Sequence, residues 1–388
     1  MRLLSLTAAL SLILVSACAT PPGSSASGGV APAEQTRLVY FGTHGDNAGQ
    51  GIFAGRFDER TGTLTSLGEV AQVFRPTWLT ADPKRPILFA VSEAGNDGKS
   101  DGQVLSFAID SIRGGLTRLS EQGSGGGGPT HLDFDAASGS LFVANFGSGV
   151  ASVLPVDGGG RIGAVAGRGQ DQGSGPTRRQ SGPHAHGVTL DPSGRFLLVP
   201  DLGADRTFVY RFDRGARALV PAARPFAQVP PGTGPRHIVF GAQGRFAYLT
   251  TELTAQVIVY RWDASSGGLD PVQTLDLMPP GFTGQRSAAE IAVSPDFRYL
   301  YVSSREGENA IYVFAIDRTK GTLTQVQRFE TGARPWSFSL SRGGRWMLVA
   351  EEGDSHVAVL ARAIGDGTLS ATGNGMNVYQ PVNVTFVH

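Results

Sequence analysis

The chain has 388 residues with 33 basic and 33 acidic side chains, so it offers no field for nucleic acid or an anionic membrane surface, and nucleic acid is excluded as a partner. Its 54 glycines and 23 prolines, beside a hydrophobic content of 40%, describe a globular protein rich in turns rather than a disordered or membrane-embedded one.

The first element is residues 1–18, where Arg2 is followed by the apolar run LLSLTAALSLILV and then by SAC. This is a charged start, an apolar stretch too short to span as an ordinary membrane helix, and a small-residue cleavage site. The block VSAC looks like a bacterial lipobox, in which Cys18 becomes the lipidated N-terminus after cleavage. It is the sole cysteine, so no intramolecular disulfide can form. Residues 19–36, ATPPGSSASGGVAPAEQT, read as a flexible tether. Because Ala19 rather than Asp follows Cys18, the expectation is an exported lipoprotein at the periplasmic face of the outer membrane, touching the membrane through this anchor alone.

From residue 37 to 388 one pattern recurs about every fifty residues, which overrides the length-based expectation of two or three domains. Each unit runs from a proline through an apolar stretch, a Pro-x-Gly-Arg type turn and further short strands to an Asp and a Gly-x-Leu. Pro76, Pro129, Pro183, Pro235, Pro335 and Pro381 mark the starts, and SAAEIAVSPDFRYLYVSS from Ser287 is the unit in which the proline is replaced. No segment shows a helical period, and short β-rich runs separated by turns predict a β-propeller blade for each unit. The N-terminal RLVYFGTH matches the second strand of the other units, whereas the C-terminal QPVNVTFVH matches a first strand. The reading is therefore all-β: a seven-bladed β-propeller closed by the C-terminal strand joining the first blade, with no sheet edge left open.

Aligning the units places His186 level with His131, His237 and Trp336, and with Trp78 and Glu290 in their own units, on the strands that line the channel. His184 sits just before. Two histidines at i and i+2 share one face of a strand, but no third ligand stands at a defined spacing, so no metal and no cofactor are expected. A second ring is expected at the ends of the second strands: Thr43, Glu93, Asn145, Asp201, Glu252, Arg305 and Glu351. Asp201, Asp205 and Arg206 are read as a structural turn.

The blocks GTHGDNAGQGIF, GPHAHGVTLDPSGRFLLVPDLGADRTFVY, GPRHIVF, LTTELTAQVIVY and AEIAVSPDFRYLYVSSREGENAI resemble the seven-bladed lactonase family. That family includes bacterial 6-phosphogluconolactonases and fungal 3-carboxy-cis,cis-muconate lactonizing enzymes. The resemblance implies that His186, Arg236, Glu252 and Arg305 stand where the family's proposed active-site His, Arg, Glu and Arg stand. Thr251 and Ser304 depart from the asparagines usual before that Glu and the second Arg.

Lactone hydrolysis needs a base for water and a cationic group at the developing oxyanion. His186 is assigned the first task, with Glu252 orienting it and Arg236 and Arg305 binding the acidic group and stabilising the oxyanion. His131, His184, His237, Glu290, Trp336 and Asn145 are expected to contact the substrate, a small lactone or organic acid, in a monomeric protein. An exported member fits a sugar-acid or related lactone better than 6-phosphogluconolactone, a cytosolic intermediate. A muconate-type cycloisomerase using the same residues, and a surface-anchored propeller that binds a ligand or protein without catalysis, are the two other readings.

Overall fold

The computed structural model describes residues 36–387; the expected signal segment with Cys18 and nearly all of the tether lie outside them. Seven four-stranded antiparallel sheets follow one another around a ring. Blade 1 spans 36–71, and blades 2 to 7 span 79–123, 129–170, 189–228, 235–276, 288–330 and 335–377.

The strand sequences show why these residues form blades. In the second strand of blade 6, Tyr299–Ser304, every residue is buried. Alternate side chains serve opposite seams: Leu300 and Val302 pack with Tyr248, Val257 and Val259 of blade 5, while Tyr299 and Tyr301 pack with Phe338, Met347 and Val349 of blade 7. A strand covered on both faces reads as a continuous apolar run although its side chains still alternate. The outermost strands, such as Leu323–Glu330, are largely exposed and polar. One apolar cluster fills each of the seven seams, so the core is a ring of interfaces rather than a central mass.

The ring closes through Pro381–Phe386, which pairs antiparallel with Thr36–Thr43 in the register Val39 to Phe386 and Phe41 to Val384. This C-terminal strand is the innermost strand of blade 1, as its sequence implied. Val384 and Phe386 complete the apolar seam between blades 7 and 1.

Candidate active site

The innermost strands do not keep simple alternation. In blade 5, Pro235 pairs with Thr251 but Ile238 with Leu249, so one extra residue is accommodated on the inner strand. The same irregularity lies between Pro129 and His131, between Ala288 and Ile291, and between Pro335 and Ser337. Such a bulge sets two residues against one and re-aims side chains. At Thr130–His131, Arg236–His237 and Trp336–Ser337 two consecutive residues thereby line the channel, which has two tiers. The upper tier, which includes Thr77, Thr130, His186, Arg236 and Trp336, lines a cavity of about 510 Å³. The lower tier includes His131, Glu290, Ser337 and Asn383, and these line a second cavity of about 550 Å³. Trp78 and His237 border both.

The single ring expected from the repeat alignment is therefore two. His186 and Trp336 face the first cavity, whereas His131 and Glu290 lie one tier down. His131 packs against Trp78 with ring centroids 4.2 Å apart. Burial, followed by the neighbouring His237, drives its pKa well below the ordinary imidazole value.

Four of the seven residues of the second expected ring do not border the first cavity. Thr43, Asn145, Asp201 and Glu351 are strand-terminal residues that turn into their own blades. Asn145 Nδ2 donates to Val150 O at 3.0 Å and to Ser152 Oγ at 3.1 Å; Asp201 Oδ1 accepts from the amides of His184 and Ala204 at 2.9 and 2.7 Å. Asn145 thus ties a turn and does not border the first cavity. Side chains that do border it at this level stand one position later than the strand ends: His44, Glu93, Phe146, Glu252 and Arg305. A one-residue slip on a strand turns a side chain to the opposite face, which is why Glu93, Glu252 and Arg305 reach the cavity and the other four do not. His184 also lies off the cavity wall. Its ring stacks on Phe146 at 4.6 Å, and its Nδ1–H donates to the Phe146 carbonyl at 2.8 Å, so it supports the segment that presents His186.

At the centre of the cavity is Glu252, 2% exposed. Arg179 Nη1 donates to its Oε1 at 2.6 Å, and around Oε2 gather Arg305 Nη2 at 2.9 Å, Arg236 Nε at 3.3 Å and His186 Nε2 at 3.5 Å. Burial would raise the carboxyl's pKa, but Arg305, His186 and Arg179 together outweigh it and hold the group well below the usual carboxylate range. Burial, then Arg236, presses the His186 imidazole down to about 4 against the pull of Glu252. His186 is thus neutral at pH 7. With its proton on Nε2, facing Glu252, the lone pair of Nδ1 is left as an acceptor, and that buried atom has no hydrogen-bond partner. Arg305 Nη1 is likewise buried without an acceptor. Three guanidinium charges surrounding one carboxylate leave an excess of positive charge. The arrangement offers a neutral base, unused donors and a field for an anion within one wall.

Arg305 and Arg236 are fixed. Arg305 lies over the Trp336 ring, 3.5 Å from its centroid, and its Nε donates to Ser287 Oγ at 3.1 Å. Arg236 Nη1 lies 3.1 Å from His237 Nδ1, which in turn is 3.2 Å from Glu290 Oε1. Among the described residues, no group of three or more His, Cys, Asp or Glu side chains is placed to hold a metal ion.

Arg179 was not among the residues expected at the site. It belongs to the short 3-10 turn Arg178–Gln180, which is anchored by buried Gln180 donating to Leu202 O at 2.9 Å and Asp205 Oδ1 at 2.7 Å. Asp205 also accepts from the amides of Gly232 and Gly234, joining this turn to the segment that leads into Arg236, a structural role in keeping with its sequence reading. Gly203 allows the close approach: a Cβ there would stand 1.9 Å from the Gly182 carbonyl oxygen. The signal in sequence was the pair Arg178–Arg179 shortly before PHAH, but nothing in the pair marks which arginine faces the channel.

Residues 38–386 match the family model described as Lactonase, 7-bladed beta-propeller. The chain belongs to the seven-bladed lactonase family. Within reach of this family are a 6-phosphogluconolactonase of Bacillus subtilis (strain 168), 29% identical over 90% of this chain and 98% of its own length, and one of Pectobacterium carotovorum, 34% identical over 67% of this chain and 74% of its own. Among solved structures, a periplasmic gluconolactonase of Pseudomonas aeruginosa is similar with a TM-score of 0.85 and 36% identity, covering 91% of this chain and 99% of the other. A putative 6-phosphogluconolactonase of Bacteroides fragilis gives a TM-score of 0.86 at 30% identity, covering 93% of this lactonase-family chain and all of its own.

Proposed function

We propose that this protein is an exported lactonase that hydrolyses a sugar-acid lactone in the cavity around Glu252. The observation that carries the reading is the neutral His186 with its unpartnered Nδ1 beside three arginines that share one carboxylate. In this mechanism Nδ1 accepts a proton from water as the water oxygen attacks the lactone carbonyl. Arg305 Nη1 and Arg236 stabilise the oxyanion of the tetrahedral intermediate. Glu252, held ionised, orients the imidazole and stabilises its protonated form. Collapse of the intermediate breaks the ring C–O bond, and the imidazolium returns its proton to the departing alkoxide, leaving the hydroxy acid. The similarity to gluconolactonases and 6-phosphogluconolactonases supports the reaction class.

A panel of purified lactones followed by acid release, with the product identified, tests this directly. Stoichiometric release of the open hydroxy acid is expected. Ring closure of a muconate without lactone opening would replace hydrolysis by cyclisation, and no turnover of any lactone at high enzyme concentration would remove the catalytic reading.

Export is supported by the charged, apolar and small-residue succession of residues 1–18 and by the likeness to a periplasmic enzyme. The protein is a lipoprotein on this reading, anchored through Cys18 on the periplasmic side of the outer membrane. Mass spectrometry of the mature N-terminus should find an acylated Cys18, and Cys18→Ala should yield an unacylated protein. A wild-type N-terminus without acyl mass would overturn the anchor.

A further inference from the structure

The arginines around Glu252 are not equivalent. Arg236 and Arg305 are 3% and 4% exposed and are held on several sides, by His237 for the first and by Trp336 and Ser287 for the second. Arg179 has a side chain 52% exposed, and its one hydrogen bond among the described residues is to Glu252 Oε1. The other cations at the rim already have carboxylates of their own: Arg286 Nη1 contacts both oxygens of Asp276 at 2.7 and 2.9 Å, and Arg75 lies 3.9 Å from Glu93. Glu252 keeps Arg236 and Arg305 beside it if Arg179 leaves. The loss of that single bond is therefore affordable in charge terms, whereas moving either buried arginine would strand a buried charge.

We propose that Arg179 is the residue that selects the substrate: it exchanges Glu252 for an acidic group carried by the lactone outside its ring, a carboxylate or a phosphate. This rests on the lactonase reading above and names its substrate class, an anionic sugar lactone. Arg236 and Arg305 then serve the reacting carbonyl, and the distal acid sits at the rim. The guanidinium plane suits either anion, since both present two oxygens to a forked donor. The turn is pinned through Gln180 while the Arg179 side chain projects beyond it, so the exchange needs a side-chain rotation and no movement of the backbone.

The test compares wild type, Arg179→Gln and Arg179→Lys on three probes: D-glucono-δ-lactone, which is neutral, a D-glucaric acid monolactone, which carries a carboxylate, and 6-phospho-D-glucono-δ-lactone. In Arg179→Gln the KM for the charged probe the enzyme prefers should rise roughly tenfold to a hundredfold, as expected for loss of a charge-assisted hydrogen bond, a loss clearly larger than the one on the neutral lactone. Arg179→Lys should recover part of the loss. The two charged probes distinguish a carboxylate from a phosphate source. Equal losses on charged and neutral lactones, or no loss on any, would overturn the proposal. Calorimetric titration with D-glucarate and with inorganic phosphate decides it independently of turnover. At least one should bind wild type and bind Arg179→Gln about tenfold or more weakly; equal binding by both proteins, or none by wild type, rejects the anion clamp. If wild type binds the anion through Arg179 yet opens no lactone, the clamp stands and the hydrolytic reading fails.

Discussion

His186→Ala is expected to lower lactone turnover by about 10²–10⁴-fold, the usual contribution of a positioned general base, while the melting temperature changes little. The side chain lines the cavity rather than a blade seam, and the blade contact at this point is made by its backbone amide to the Pro200 carbonyl at 2.9 Å, which alanine retains. The pH profile provides a second readout. His186 acts as a base only when neutral, and burial with Arg236 places its pKa at about 4. Activity should therefore hold through neutral pH and fall as the pH drops through about 4, where the imidazole becomes protonated. A kcat/KM that falls instead around the ordinary imidazole value, about 6.5, would show that the cavity does not depress this group. Wild-type turnover in His186→Ala on a confirmed substrate would return the histidine to a supporting role.

Deleting residues 381–388 is expected to abolish cooperative folding or leave an aggregating protein. Val382, Val384 and Phe386 are 0%, 5% and 6% exposed, and at about 1.5–3 kcal/mol for each buried side chain their loss removes roughly 5–9 kcal/mol, comparable with the whole stability of many domains. The strand also reaches blade 2: Asn383 Oδ1 accepts from the Leu79 amide at 3.3 Å, and Thr385 Oγ1 donates to the Leu79 carbonyl at 3.0 Å. Truncation would expose the free edge of Thr36–Thr43 and the buried seam beneath it. Phe386→Ala, which keeps the ladder, should show a smaller drop in melting temperature. A truncated protein melting at the wild-type temperature would mean that closure contributes nothing to stability.

Blade number and closure were legible because each blade repeats the same local chemistry. TRLVYFGT reads as the second strand of a blade and PVNVTF as a first strand, so each supplies what the other needs, and the two pair in the structure. His186, Arg236, Glu252 and Arg305 were also marked in sequence, by the PHAH, GPRH, TTELT and SSREG blocks. The geometry brings all four within one cavity wall.

Which neighbours join them was decided only by the tertiary structure. Counting along a repeat assumes that residues alternate strictly, and the inner-strand bulges break that alternation, so His131 and Glu290 fall a tier below His186 although the alignment set them level. Thr43, Asn145, Asp201 and Glu351 end their strands whereas Glu93, Glu252 and Arg305 stand one residue past theirs, and that one residue of register divides turn anchors from cavity walls. Arg179 was beyond sequence reasoning for a different reason. Its partner Glu252 is 73 positions away, and its place at the rim depends on Gln180 and Asp205 pinning a turn between blades, a relation that no period along the chain encodes. Short-range pattern determined the blades and their order, because strand and turn formation is local; the electrostatic site was decided where blades meet, because charges interact through space.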